Sequence, residues 1–449
     1  MTSAQPKLDR SLGLGAVVLF GLAYMAPMIV FGTFGVLADK SEGTAAGAYL
    51  VALAAILLTA YSYGRMTSIH PVSGSAYSYT RRTINAHAGF LVGWAVLLDY
   101  FFLPMVIWLI GAAYLGAALP DIPSWIWVVA YVVLTSAINI IGIHFASRVN
   151  FILMVAQFLI VAAFMALAAH YVVEVSDGGS LLSADPFFQP GVPFSATLAG
   201  AALAVYSFLG FDAVSTLAEE TIEPRKTMPR AIFLIALIGG GVFIGASYVT
   251  ELAHPSTQFQ NEDAAAFEIA RKVGGDIFVT VFLIGMVVTQ FTAGLSAQAS
   301  VGRLLYAMGR DRVLPRRVFG YLNARFKTPV FNIVMAGLFG LLAIALDEAT
   351  STSFINFGAF TAFTFVNLSV IAHYLRHRHD GERRGLLLWV VVPGLGAILD
   401  LGLLASLDKD ALILGVVWLA IGIGYLTYLT KGYKVPPPDL DIEEAEGAG

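Results

Sequence analysis

Apolar runs long enough to cross a bilayer recur along this chain, each closed by a polar loop. Twelve can be marked, at about 13–38, 45–64, 89–116, 124–143, 149–171, 195–218, 230–250, 275–297, 329–346, 353–374, 386–405 and 410–430. A helix needs roughly 20 predominantly apolar residues to span the hydrocarbon core, so each run predicts a spanning helix. Two of the runs are flawed near their centres. "LFGLAYMAPMIVFG" (19–32) carries Gly21, Pro27 and Gly32. A proline inside a helix removes a donor and clashes with the preceding turn, a defect of ~3 kcal/mol. "ALAVYSFLGFDAVSTLAEE" (202–220) contains "FLGF" at 208–211, followed at membrane depth by Asp212.

The two flaws occupy matching places. Each leads a block of five spans, 13–171 and 195–374, and two further helices follow at 386–430. Five is an odd number, so the second block runs in the opposite sense, as in inverted-repeat transporters. Unwound backbone is tolerated in a bilayer only where protein or a watery cavity covers it. Its freed carbonyls and amides then become ligands for something polar. The breaks near 24–28 and 208–211 are therefore predicted to meet at the membrane midplane and form a binding site. For Pro27 taken singly, a plain proline kink is the alternative.

Composition narrows the class. With 58% hydrophobic and 12% charged residues and a mean hydropathy of +0.77, a soluble chain is excluded. The expectation is an all-α integral membrane protein with one transmembrane domain at 13–430. All but four of the 26 Lys and Arg (Lys40, Arg271, Lys272 and Lys409) fall on one side when alternate loops are assigned to it, clustered as "TRRTINAH", "EPRKTMPR", "MGRDRVLPRR" and "LRHRHDGERR". The positive-inside rule makes that side the cytoplasm and puts both termini there. Residues 1–12 read as a cytoplasmic tail, and 431–449, Pro-rich then acidic, as a disordered one. The first run is too long for a signal h-region. Without cysteine there is no disulfide, thiol chemistry or thiolate metal site. The small net charge of -4 offers nothing to nucleic acid. Of the long outer segments, "EVSDGGSLLSADPFFQPG" reads as irregular loop. "EDAAAFEIARKVGG" reads either as a short helix lying on the outer surface or as a flexible loop.

Three stretches carry a family resemblance. "YSFLGFDAVSTLAEETIEPRKTMPRAI" resembles the sixth-span signature of the amino acid–polyamine–organocation (APC) superfamily, "VSGSAYSYTRRTINAHAGFLVGWAVLLDY" its second-to-third-span region, and "VGRLLYAMGRDRVLP" the segment after its eighth span. The first-span "LAYMAPMIVF", with "LLDYFFLPM" and "INFGAFTAFTFVNLSVI", resembles the bacterial putrescine importers within it. The resemblance runs over almost the whole chain. It implies a LeuT-like five-plus-five core with broken helices one and six, proton-linked symport or exchange, and a midplane site between spans one, three, six, eight and ten.

The candidate site residues follow from both lines. Tyr24, Met25, Ala26 and Pro27 form the first break, and Phe208 and Gly210 the second. Asp99 and Tyr100, in "VLLDYFFLP", put a carboxyl inside the third span, where it is costly and should face the bundle interior. Asp99 could hold an amine, carry the coupling proton, or bond to broken-helix amides; Tyr100 could be ligand or packing. The resemblance implies that Asp212 contacts a substrate amine and that Tyr206 closes over it, with plain aromatic packing the alternative for Tyr206. "GFDA" also occurs in amino-acid permeases, so Asp212 does not choose the substrate.

Glu219 and Glu220, beside Arg225, Lys226 and Arg230, read as an inner gate of salt bridges rather than an acid–base pair. Some proton-driven relatives carry a Lys where this chain has Gln157, which cannot titrate, so proton coupling does not pass through that position. Thr289, Thr292 and Ser296 offer hydroxyls suited to sodium, though such hydroxyls also serve helix packing. H+ is the expected coupling ion and Na+ the alternative. No cofactor or metal site is expected: the histidines are scattered, and "RHRHD" is a solvated basic loop.

Substrate identity rests on span one. Amino-acid members present bare amides that bind a carboxylate, by the physics of a helix N-terminus. Here "YMAPM" crowds that approach and Pro27 deletes a donor. That favours an amine without a carboxylate, whereas the putrescine importers carry an acid where this chain has Gly32. The reading is a multi-pass carrier of the bacterial cytoplasmic membrane for a small organic cation, putrescine ahead of a cationic or neutral amino acid. A membrane enzyme would need a convergent nucleophile or metal set, and a channel a continuous polar stripe. Neither is visible.

Overall fold

The structure, a computed structural model, describes residues 12–70, 76–141, 147–175, 180–219, 221–310, 313–323, 325–326, 328–378 and 385–437. Most of both predicted tails, Glu220 and the side chain of Glu219 lie outside them, so the inner-gate expectation does too. Among the described residues the regular structure is helical, and the single β-bridge joins Leu12 to Thr221.

Among the described residues eleven helices are long and apolar enough to cross a membrane, and a shorter one, Val330–Ile344, stands at the ninth predicted run. The twelve are called spans one to twelve in chain order. Span nine is shorter than its apolar run because its last turn tightens into 3-10 geometry at Leu341–Ile344. Span eight departs from expectation the other way. Its helix begins at Ala265 and ends at Arg310, bending at Gly275 (φ 68°, ψ -170°). The short helix predicted before it is thus present, but it is not a surface helix. Ala265, Ala266, Phe267, Ile269 and Ala270 are all buried. The bare Cα of Gly35, in the helix Phe34–Lys40 that completes span one, lets the Glu262 carbonyl and Ala265 pack directly against it.

The bundle has two chemically distinct ends. At one, Arg65 lies over the Trp389 ring, Arg376 donates to the Ile84 carbonyl and Ser68 to the Arg225 carbonyl. This is the basic end. At the opposite end Lys40 pairs with Asp408 at 3.1 Å and Glu251 accepts from the Ala45 amide, the first residue of span two. Between the ends, spans two (Ala45–Ile69) and seven (Pro224–Ala253) pack closely, Gly64 against Pro229 and Gly240 against Leu53. Small residues allow this in lipid, where packing rather than water exclusion drives helix association.

Polar residues lock the outer helices on. Asp400 of span eleven, fully buried, accepts from Thr59 and Asn367 at 2.9 Å each, and Ser62 donates to Asn367. Spans two, ten and eleven share this knot. Span twelve (Lys409–Leu429) is clasped to span three (Ala86–Ala118) by two tryptophans. Trp94 Nε1 donates to the Trp418 carbonyl at 2.8 Å, Trp418 Nε1 to the Trp94 carbonyl at 2.7 Å, and the rings stack at 4.9 Å.

Candidate functional site

Both predicted breaks are present. Span one is helical over Leu14–Tyr24, turns through Met25–Met28 and resumes at Ile29. Pro27 explains the stop, since it cannot donate and disfavours helix in the residue before it. That residue, Ala26, has φ 49°, a left-handed conformation costing a non-glycine residue roughly 1–2 kcal/mol. Span six is α-helical over Phe194–Ala204, tightens to 3-10 over Val205–Phe208, opens, and continues as a 3-10 helix over Ala213–Glu219. Gly210 supplies the turn with φ 112°.

The breaks touch. The Tyr24 ring occupies the space that a Cβ on Gly210 would need. Tyr49 of span two ties them from the side, its hydroxyl 2.9 Å from Ser207 Oγ and 3.3 Å from Thr33 Oγ1. Tyr114 of span three donates to the Phe31 carbonyl at 2.6 Å. Asn356 of span ten donates to the Ala202 and Leu203 carbonyls, where the α-helix of span six ends.

Two carboxyls face this junction, and their surroundings differ. Asp212 accepts from the backbone N–H groups of Gly210, Ala213 and itself and from the Tyr63 hydroxyl. Its carboxyl is therefore occupied by donors of the break itself. Asp99, whose backbone packs on Gly358 of span ten, lies in the electrostatic field of Asp212. Its Oδ1 is closed off from solvent and has no hydrogen-bond partner. Both residues are nevertheless only half-buried, like Ala26 and Tyr100, and Tyr24 is 45% exposed, so an opening reaches the breaks. An insertion cost of ~2.5–3.5 kcal/mol per acid makes two such groups hard to account for by packing. What they can do is hold a positive charge.

The other predicted residues are distributed more widely. Tyr206 is buried at the break. Phe208 is fully buried in an aromatic cluster, tilted against Tyr49 and edge-on to Phe243. Met25 is buried with its terminal methyl on Gly239 of span seven, and Pro27 is buried too. Gln157 is 9% exposed with Oε1 unpartnered. Thr289 is buried, while Thr292 and Ser296 donate back to carbonyls of their own helix. Near the inner-gate sequence, Lys226 pairs with Glu223 at 3.1 Å.

Sequence reasoning missed four residues. Tyr63 and Asn356 are the donors described above. Gln290 of span eight is 1% exposed, and its unpartnered Nε2 lies 3.5 Å from where a Cβ on Gly32 would stand. Glu348, first residue of span ten, is fully buried with neither carboxyl oxygen hydrogen-bonded. Tyr206 lies within the electrostatic reach of both Glu348 and Asp99. Polar letters inside apolar runs mark Asn356 and Gln290. Nothing in the sequence marks Tyr63.

The family model described as "Amino acid permease" matches residues 14–432. The chain is 39% identical over 441 residues to the low-affinity putrescine importer PlaP of Escherichia coli K12, covering 98% of each chain. It is 28% identical to the branched-chain amino acid permease BcaP of Bacillus subtilis, covering 97% of this chain and 96% of that one. With cationic amino acid transporter 4 of Mus musculus it shares 29% identity over 82% of this chain and 60% of the relative.

Proposed function

The chain belongs to the amino acid permease family, a family of transporters rather than enzymes, and on that footing we propose that it imports a small organic cation, putrescine ahead of an α-amino acid. The observation that carries this is the balance of acceptors and donors at the breaks. Asp99 offers an unpartnered oxygen, while the amides of Gly210, Asp212 and Ala213 are already taken by the Asp212 carboxyl. Pro27 has no amide to give. Little is left for a substrate carboxylate and much for an ammonium.

In this reading the basic end faces the cytoplasm, the membrane is the bacterial inner membrane, and both termini lie inside. Substrate passes by alternating access at the midplane of a five-plus-five core. H+ is the proposed coupling ion, and Na+ at the span-eight hydroxyls is the alternative. A second reading, amino-acid permease, is favoured by Gln290. Its unpartnered Nε2 beside Gly32 is a donor that a carboxylate could take.

Counterflow of labelled putrescine into proteoliposomes tests the proposal. Putrescine should exchange, and in a panel with spermidine, arginine, alanine and glutamate it should compete best. An α-amino acid competing at micromolar concentration, with putrescine inert at millimolar, would hand the function to the second reading. A diamine also brings a second charge, and Glu348, the other carboxyl within electrostatic reach of Tyr206, is the acid assigned to it. Glu348→Gln is expected to raise the half-saturating putrescine concentration about tenfold, worth about 1.4 kcal/mol, and to leave competition by butylamine unchanged. Equal effects on both amines would remove Glu348 from recognition.

A further inference from the structure

A cavity lined by none of the break residues opens at the basic end between spans two and seven. It is an open groove of about 440 Å³, room enough for a small polar group, and its walls are Tyr61, Arg65, Ser68, Arg225, Lys226, Pro229, Arg230 and Phe233. Four of those eight side chains are cations. Among the described residues only Lys226 has an acidic partner, Glu223 at 3.1 Å, and both are largely exposed, where such a pair is worth little. Arg65, Arg225 and Arg230 pair with no acid among the described residues. Such an accumulation of positive charge repels itself unless an anion shares it.

The geometry is fixed rather than loose. Arg65 lies over the Tyr61 and Trp389 rings at 5.1 and 5.0 Å, and its Nε donates to the Tyr61 hydroxyl at 2.7 Å. Its two terminal nitrogens are thereby held at the cavity, in the planar arrangement that suits phosphate oxygens. Ser68 Oγ donates to the Arg225 carbonyl at 2.9 Å, anchoring the first turn of span seven, whose N–H groups add to the positive field.

We propose that this cavity binds the phosphate of an anionic phospholipid from the leaflet at the basic end. Free phosphate would meet the same cations. The apolar lip favours the lipid: Phe233 and, one turn further into the membrane, Leu237 are exposed, as are Leu387 and Leu388 of span eleven. Acyl chains would lie along them while the headgroup stays among the arginines. Basic pockets between spanning helices on the cytoplasmic side recognise acidic headgroups in this way.

The test uses the full chain in detergent, with melting temperature and native mass spectrometry as readouts that need no transport. Phosphatidylglycerol should raise the melting temperature and survive as a bound adduct, and phosphatidylcholine should do neither. Arg65→Gln with Arg230→Gln should weaken phosphatidylglycerol binding at least fivefold. Arg316→Gln with Arg317→Gln, exposed on the short helix after span eight, should leave it unchanged. Should the first pair misfold, Arg225→Gln alone carries the test, with a smaller loss expected. Equal stabilisation by phosphatidylcholine, equal loss in the Arg316 and Arg317 variant, or full stabilisation by inorganic phosphate alone would each overturn the proposal.

Discussion

Asp99→Asn is expected to lower putrescine uptake about a hundredfold while the protein still inserts and melts like the wild type. The substitution keeps size and removes charge from the one carboxyl at the breaks with an unpartnered oxygen. A hydrogen bond to an ammonium is worth up to about 3 kcal/mol when charge-assisted, which converts to roughly two orders of magnitude in affinity. Folding should survive because no donor among the described residues depends on Asp99 Oδ1. Asp212→Asn should behave differently. Three backbone amides and Tyr63 point at that carboxyl, and an amide group can accept from them with only one atom. Its variant should lose stability and uptake together. Parallel uptake kinetics and melting curves separate the two cases. Wild-type kinetics in Asp99→Asn would mean that the amine is held elsewhere.

Gly210→Val should abolish transport. Its φ of 112° lies outside what a β-branched residue adopts, and strain of this kind costs of order 1–3 kcal/mol. The added side chain would also drive into the Tyr24 ring, separating the breaks. Gly275→Val provides the control. Gly275 has φ 68° but no neighbour within 4 Å of an added Cβ. Backbone strain alone should lower its melting temperature and leave uptake measurable. If both variants transport equally, contact between the breaks has no role.

Much of the architecture was legible because lipid leaves so few options. Pro27 and the Gly210 region announced both breaks, and the apolar runs announced every span. The extent of span eight was not legible. "EDAAAFEIARKVGG" is polar enough to look separate, and only the close approach at Gly35 shows it folding into the body of the protein. Roles within the site were legible only in kind. Two acids at membrane depth were visible, but which of them is occupied by backbone amides depends on how the break at Gly210 turns. Glu348 sits at the polar margin of its span, where an acid looks like an ordinary helix start, and only its burial marks it out.

The paired tryptophans of spans three and twelve carry a spectroscopic consequence. Two of the chain's six indoles stack with an interplanar angle of 19° and a centroid distance of 4.9 Å. Chromophores that close couple their electronic transitions, giving an ultraviolet circular dichroism couplet that either one alone would lack. The couplet should vanish when span twelve leaves span three and persist through motion confined to spans one and six. An unlabelled sample could then report, at one wavelength, whether the last helix stays docked through the transport cycle.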